Sequence, residues 1–448
     1  MSKTPLTKPH EPQAPLPQDT PTFEADVSSP PRSVLRGLKT FESFSHRDYT
    51  YFFFGALLSN IGTWTQTVAL GWVVYQLTAS SSSLGIVNFL AGVPIFFLTL
   101  FAGSLADRMD RRKLLIIAQV ILMVQALAFG VLNQTNHFTI GWIYGLSLAG
   151  GVVSAFMFPA WQAMVPDLVP RSSLLNAIAL SSAQFNAARL VGPMVTAAII
   201  AAFRANEQLG ITMVFAVNAV SFLFVIWALA VIRPKQVVRE RGATFNDGGL
   251  GAGLHYARQH PHVAMHLVTA AMLTIFGMPF MTLLPAFAAD TLGLGSTGYS
   301  ALMGFNGGGA LIGALIVASL PRSVKRERII RYSLTAMAVG VLALSFVRSY
   351  TIAAALLVVL GAVFLATVSS INTNLQTAVP NELRGRVMAL FVLSFMGMMP
   401  FGSLAFGALG DAIGVTWAIF AGAVVLLTYC SVLLLRPRLL CEETAKRC

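Results

Sequence analysis

The chain has 448 residues, 56% of them hydrophobic and only 11% charged, and its mean hydropathy is +0.71. Soluble domains carry about 25% charged residues, so a soluble enzyme or binding module is excluded and the bilayer is the main solvent. The net charge of +12 marks no nucleic-acid surface, because Lys and Arg cluster in short loops between apolar stretches, the pattern that orients membrane spans.

In chain order, residues 1–45 carry Pro5, Pro9, Pro12, Pro15, Pro17, Pro21, Pro30 and Pro31 and almost no apolar run. They read as a disordered cytoplasmic tail without a cleavable signal, the first span serving as its own signal. A span needs about 20 mostly apolar residues. Twelve are predicted, at 51–76, 84–106, 114–132, 140–165, 174–203, 211–232, 263–289, 299–320, 329–347, 352–378, 387–409 and 415–435. They form a six-helix half at 46–232 and another at 263–435. A linker at 233–262 joins the halves and a cytoplasmic tail follows at 436–448. Within the linker, Leu254–Arg258 reads either as an interfacial helix or as plain loop. Counting Lys and Arg near the spans gives 25 on one side and two, Arg204 and Arg348, on the other. That bias puts both termini in the cytoplasm.

The loop after the second span reads Gly103-Ser104-Leu105-Ala106-Asp107-Arg108-Met109-Asp110-Arg111-Arg112-Lys113. Its four basic residues hold it on the cytoplasmic side. Asp107 ends a span, where a carboxylate can reach the N-terminus of a neighbouring helix. Gln162-Ala163-Met164-Val165-Pro166-Asp167 lines up with Gln376-Thr377-Ala378-Val379-Pro380-Asn381 at an offset of 214 residues. Near the same offset the loop lines up with the basic stretch at Arg322–Arg328. The loop resembles the signature of the major facilitator superfamily, G-x-L-A-D-R-x-G-R-R-x, except that Asp110 stands where the family has Gly. The resemblance implies an all-α membrane protein of twelve transmembrane helices in two six-helix halves related by a parallel repeat. It also implies a gating role for Gly103, Asp107, Arg108, Arg111 and Arg112, with Asp107 touching a helix of the second half in one state and releasing it in the other.

No phosphate loop, nucleophile elbow or metal-ligand spacing appears. The chain is therefore read as a non-enzyme without cofactor or metal, driven by an ion or substrate gradient. Cys430, Cys441 and Cys448 show no pairing framework. Arg189 sits in the middle of the fifth span, where a charge costs at least about 2.5–3.5 kcal/mol. Ser182, Asn186, Arg189 and Pro193 share one helical face. Arg189 binds an anionic substrate group, or it is a structural pin on neighbouring carbonyls. Gly192-Pro193 resembles part of the antiporter motif G-P-x-x-G-G, of which the rest is absent. Other polar groups inside spans are cavity candidates or interhelical glue. They are Asn60, Thr63, Gln66 and Thr67 in span 1, Trp161 and Gln162 in span 4, Asn306 in span 8, and Asn372 and Gln376 in span 10. Small pairs, Gly141 with Gly145 and Gly309 with Gly313, allow close helix approach. None of the 18 Asp and Glu residues falls in mid-membrane, so proton coupling has no visible carrier.

The membrane region also resembles one branch of the superfamily. The residues that carry this are Phe44–Gly55, Ser59-Asn60-Ile61-Gly62-Thr63-Trp64-Thr65-Gln66 and Trp72–Thr78, similar to the bacterial transmembrane secretion effectors with their enterobactin-exporter-like members. The resemblance implies a monomeric secondary transporter of the bacterial inner membrane. It would export a small amphipathic molecule, a siderophore or drug-like compound, with a proton as the available coupling ion. The alternatives are a metabolite importer of the same superfamily and a non-transporting receptor or assembly factor. The charge count makes one prediction. Reporter fusions after Lys113, after Arg241 and at the C-terminus should report cytoplasm, and fusions near Ser82 and Asn206 the opposite side; a C-terminus outside would overturn the twelve-span topology.

Overall fold

Lipid offers no partner to backbone N–H and C=O groups, so each apolar run closes its hydrogen bonds within itself as a helix. The computed structural model describes residues 39–106, 110–232, 249–321 and 324–440. Most of the tail at 1–45, the linker to residue 248 and the tail beyond Leu440 lie outside these residues, as do Asp107 and Arg108 of the signature loop. Contacts group Met1–Phe41 as one unit and Glu42–Cys448 as another; the second is the membrane body.

Among the described residues there are thirteen helices and no strand. They are α1 Arg47–Thr78, α2 Ser81–Ala106, α3 Arg111–Gln134, α4 Ile140–Leu168, α5 Leu174–Ala202, α6 Glu207–Val231, α7 Gly249–Gln259, α8 Pro261–Thr291, α9 Ser296–Ser319, α10 Arg326–Phe346, α11 Tyr350–Ala378, α12 Asn381–Ile413 and α13 Val415–Leu435. Eleven contain a stretch long and apolar enough to cross a membrane. The exceptions are short α7, which lies in the linker, and α1. With 32 residues α1 is long enough to span, but Asn60, Thr63, Gln66 and Thr67 dilute its hydropathy.

Local chemistry sets the ends and bends. Asp110 caps α3, its carboxylate accepting from the backbone N–H of Arg112 at 2.9 Å and of Lys113 at 3.3 Å. The residue that departs from the superfamily signature thus holds a helix start. Arg112 donates to the carbonyls of Leu229 and Ala230 at the C-terminal end of α6, a cation on the negative end of a helix. Arg111 reaches Asp167 of α4 at 2.8 Å. The two arginines therefore tie α3 to α4 and α6 within one half. α8 and α12 each widen to a π-turn, at Leu273–Gly277 and Leu393–Gly397. Pro279 and Pro400 follow, and a proline ring clashes with the carbonyl four residues back, which is Ile275 in one case and Met396 in the other. The wider turn relieves that clash.

Within the first half α1 packs on α5 and α6, α2 on α4, and α3 on α4 and α6; within the second, α11 packs on α9 and α10, and α13 on α10 and α12. The halves meet through α2 with α12 and α5 with α9. The tightest crossing is α9 on α11. A Cβ on Gly361 would lie 2.0 Å from the Asn306 carbonyl oxygen, and one on Gly309 would lie 1.9 Å from that of Val358. Only glycine permits this approach, and in lipid such packing replaces the hydrophobic drive between helices. The expectation for Gly141 and Gly145 is corrected, since a Cβ on Gly145 meets nothing within 4 Å and one on Gly141 meets only the neighbouring Thr139 hydroxyl, at 4.0 Å. In α4 the crossing glycine is Gly151, 2.5 Å from the Ala91 carbonyl oxygen of α2 on the same measure. Cys430 is buried and free in α13.

Replacing Gly361 by leucine should destroy this crossing, whereas Gly145→Leu should be tolerated. Size-exclusion profile and melting temperature in detergent check it; equal behaviour of the two variants would refute the packing assignment.

Candidate functional site

Arg189 lies near the middle of α5 and is only 9% exposed. Its Nη2 donates to Asn306 Oδ1 of α9 at 2.9 Å. Asn306 in turn donates from Nδ2 to the Leu357 carbonyl of α11 at 3.2 Å. The guanidinium carbon sits 5.2 Å from the Phe364 ring centroid and 5.7 Å from that of Trp64. Two residues of the first half thus meet two of the second around one buried charge. A Cβ on Gly307 would lie 2.4 Å from the Arg189 carbonyl oxygen, so glycine there lets α5 and α9 come close enough for the bond. Among the described residues Arg189 has no carboxylate partner. Cation–π contacts, worth about 0.5–2 kcal/mol each, and one charge-assisted hydrogen bond offset its burial. The pin reading of Arg189 gains a side-chain amide and two aromatic faces as partners where backbone carbonyls were expected.

Ser182, Phe185 and Asn186 lie on the Arg189 face of α5, toward the end that carries Arg111–Lys113. Phe185 is 50% exposed although its ring stands 6.2 Å from that of Trp64. Ser182 is exposed and Asn186 half-buried. A face that packs on the second half at Arg189 is therefore uncovered a turn or two farther on. Gln162 and Gln376 are exposed at the same end. At this end the α5 face that carries Arg189 is thus accessible, whereas at Arg189 itself it is packed on the second half. On the second half Phe364 stacks on Phe395 and Phe395 on Phe391, with ring centroids 6.0 and 5.9 Å apart.

At the opposite end the halves close. Asp411 near the end of α12 accepts from Ser80 and from the backbone of Ser81 and Ser82 at the start of α2. The Tyr75 hydroxyl of α1 donates to the Asp290 carboxylate of α8. α2 and α12 touch backbone to backbone at Gly85 and Gly407.

The other predicted positions are scattered. Gln66 Oε1 accepts from Asn218 of α6 at 2.8 Å and works as glue inside the first half. Thr63 and Thr67 are exposed but bond back to their own helix at Ser59 and Thr63. Asn60 is half-buried. Trp161 packs its ring 4.8 Å from Phe52 in the core of the first half. Asn186 donates to the Ser182 carbonyl, and Gln376 to Asn372 Oδ1. Gly103 falls in the last turns of α2; Asp107 and Arg108 lie outside the described residues, and Arg111 and Arg112 bond within their own half. The structure brings together Arg189 and Asn306. Phe364, Phe185 and the closed end went unread, although the run Ser80-Ser81-Ser82-Ser83 ahead of a span is a helix-start signature. A buried His266 network also went unread. Its Nε2 faces Asn374 Nδ2 at 3.1 Å, and that amide also lies 3.3 Å from Glu327. Among the described residues no three His, Cys, Asp or Glu side chains could hold a metal ion.

Residues 38–446 match the transmembrane secretion effector family, and the chain belongs to this family of major facilitator transporters. It is 26% identical to the staphyloferrin A transporter of Staphylococcus aureus, over 82% of this chain and 90% of that protein. It is also 26% identical to the multidrug efflux pump Tap of Mycolicibacterium fortuitum, over 86% of this chain and 95% of the pump. Among solved structures the fold resembles a point mutant of the nucleoside transporter NupG, with a TM-score of 0.70 at 11% identity over 88% of this chain and all of that one. It likewise resembles a bacterial homologue of the lysosomal transporter Spinster in an inward-facing, occupied conformation, with a TM-score of 0.65 at 15% identity over 90% and 98% of the two chains.

Removing the acceptor tests the brace. Asn306→Ala should destabilise by about 1–3 kcal/mol, because it strands a buried donor and a carbonyl. Arg189→Lys should do as badly as Arg189→Gln, since a point charge cannot reproduce the planar fork. Thermal unfolding in detergent measures this; a lysine variant as stable as the parent would sink it.

Proposed function

We propose that the chain exports small amphipathic molecules from the bacterial cytoplasm by alternating access, as a monomer in the inner membrane with both termini inside. One observation carries the reading. The Arg189 face of α5 is uncovered at the end that holds the basic loops, as the wall of a vestibule between the halves would be, and the halves are bonded to each other at the other end. The charge bias of 25 to 2 assigns the basic end to the cytoplasm. The conformation is then inward-facing, the state in which an exporter loads. The vestibule ends on aromatic rings, Trp64, Phe185, Phe364 and Phe395, beside a guanidinium. Such a wall suits a ligand with an apolar body and a polar or anionic head. The siderophore transporter and the efflux pump among its relatives support the same class of cargo.

The cycle follows from the contacts. Substrate enters between α5 and α11 below the Arg189 brace. The halves then rock about the midplane, where α5 meets α9. Asp107, one residue beyond α2, is the candidate contact that closes the cytoplasmic end, a carboxylate on the start of a second-half helix worth about 0.3–2 kcal/mol. That range biases a two-state equilibrium several-fold. The energy source is an ion gradient, and the His266–Asn374–Glu327 network is the buried titratable cluster available to sense a proton.

Flux decides it. Inside-out vesicles carrying the protein should accumulate members of a panel of amphipathic dyes and iron-free siderophores, and collapsing the proton gradient should lower the uptake. Asp107→Asn should cut the flux at unchanged expression. Binding of panel members with no translocation would favour the receptor reading; uptake into right-side-out cells would favour an importer.

A further inference from the structure

The first turn of a helix has N–H groups without intrahelical partners, and a side chain just ahead of it normally supplies the cap. α2 is capped in part by its own chain. Ser80 lies just ahead of the helix, and its Oγ accepts from the Ser83 N–H at 3.2 Å. The rest of the cap comes from the other half of the molecule. Asp411 Oδ1 accepts from the Ser81 N–H at 2.6 Å, and Oδ2 accepts from the Ser80 hydroxyl at 2.6 Å and the Ser82 N–H at 3.1 Å. One carboxylate, 330 residues away in sequence, thus completes the helix start. Its negative charge sits on the positive end of α2.

Three features make this a junction that can open. Asp411 is exposed, so water can take over the carboxylate when the bond breaks. The backbones around it approach closely at glycines. A Cβ on Gly407 would lie 2.6 Å from the Ser81 carbonyl oxygen, and one on Gly85 would lie 2.6 Å from that of Ser403. The contact joins α2 to α12, one of the two most extensive helix pairs that link the halves. The neighbouring charged contact at this end is Tyr75 with Asp290.

We propose that Asp411 is the outer latch of the transport cycle, a carboxylate on α12 that caps α2 only while the outer end is shut and lets go when the outer end opens. This rests on the alternating-access reading. It also gives the cycle a reciprocal form. The same two helices hold an acid at each end of the membrane, Asp107 just past the inner end of α2 and Asp411 at the outer end of α12. Asp411 caps α2 in the described state, and the role proposed for Asp107 would mirror it at the inner end. Losing a cap shifts an equilibrium roughly 2- to 30-fold.

The test measures the outer end directly. The full chain, with Cys430, Cys441 and Cys448 replaced, carries spin labels at His137→Cys and Ser349→Cys. Both sites are exposed loop residues, one in each half. Electron–electron double resonance in nanodiscs then reads the separation. Asp411→Ala should raise the ratio of long to short distances roughly 2- to 30-fold. Ser80→Ala should move it the same way from the α2 side, because it removes the hydroxyl that donates to Asp411 and adds no bulk against α12. Both variants remove one and the same interaction, so the double variant should shift no further than the stronger single. An unchanged ratio in the single variants, or full additivity in the double, would overturn the latch. If Asp411→Ala fails to fold, Ser80→Ala alone decides. The readout needs no substrate. Shifted distances in a protein that moves no panel compound would uphold the latch and sink the exporter reading, whereas normal flux with unmoved distances would do the reverse.

Discussion

A polar group carried into hydrocarbon must find its partner inside the protein, and Arg189 imposes that constraint most severely here. Its charge is surrounded by Trp64, Asn306 and Phe364, supplied by three different helices in addition to its own. Neither half alone could satisfy it. The brace therefore makes contact between α5 and α9 a condition of stability in the described state. It also explains the glycines nearby. Gly307, Gly309 and Gly361 bring α9 against α5 and α11 closely enough for a side-chain amide to bridge them. Packing of small residues takes the role that hydrophobic burial has in water.

The molecule uses the same kind of bond at its two ends but with different permanence. At the basic end, Arg111 and Arg112 bond to Asp167 and to the carbonyls at the end of α6, all inside one half. These contacts stiffen a rigid body. At the other end, Ser80–Ser82 with Asp411 and Tyr75 with Asp290 run between the halves. Bonds inside a half can persist through a rocking cycle, whereas those between halves must be remade. The described contacts fall into these two groups, which is what a two-body transporter requires.

The π-turns in α8 and α12 belong to the same design. Each precedes a proline whose ring would otherwise clash with the carbonyl four residues earlier. The two bends touch each other, and just beyond the second a Cβ on Gly402 of α12 would lie 3.0 Å from the Ile275 backbone of α8. A bend packed on a bend lets the second half change direction without leaving backbone groups stranded in lipid.

Much of this was legible in the sequence. Apolar run length, the sidedness of Lys and Arg, the Gly103–Lys113 signature and the 214-residue repeat are local or one-dimensional signals. They suffice for an all-helical membrane body in two halves and for the superfamily. The cost of a mid-span charge marked Arg189, because that penalty is set by depth along a single helix. Its partners were not legible. Asn306, Phe364 and Trp64 are distant in the chain, and nothing in their spacing ties them to one point. Gln66 and Trp161 looked like cavity residues but face Asn218 and Phe52, because periodicity names a helical face and not the neighbour that covers it. Asp411 was visible only as an acid near a span end. That it caps a helix of the other half depends on how two rigid bodies meet, and only the tertiary structure decides that. The sequence by itself determined which segments enter the bilayer and which end carries the charge. Which polar groups meet, and at which end of the membrane the halves are shut, came from packing between helices far apart in the chain.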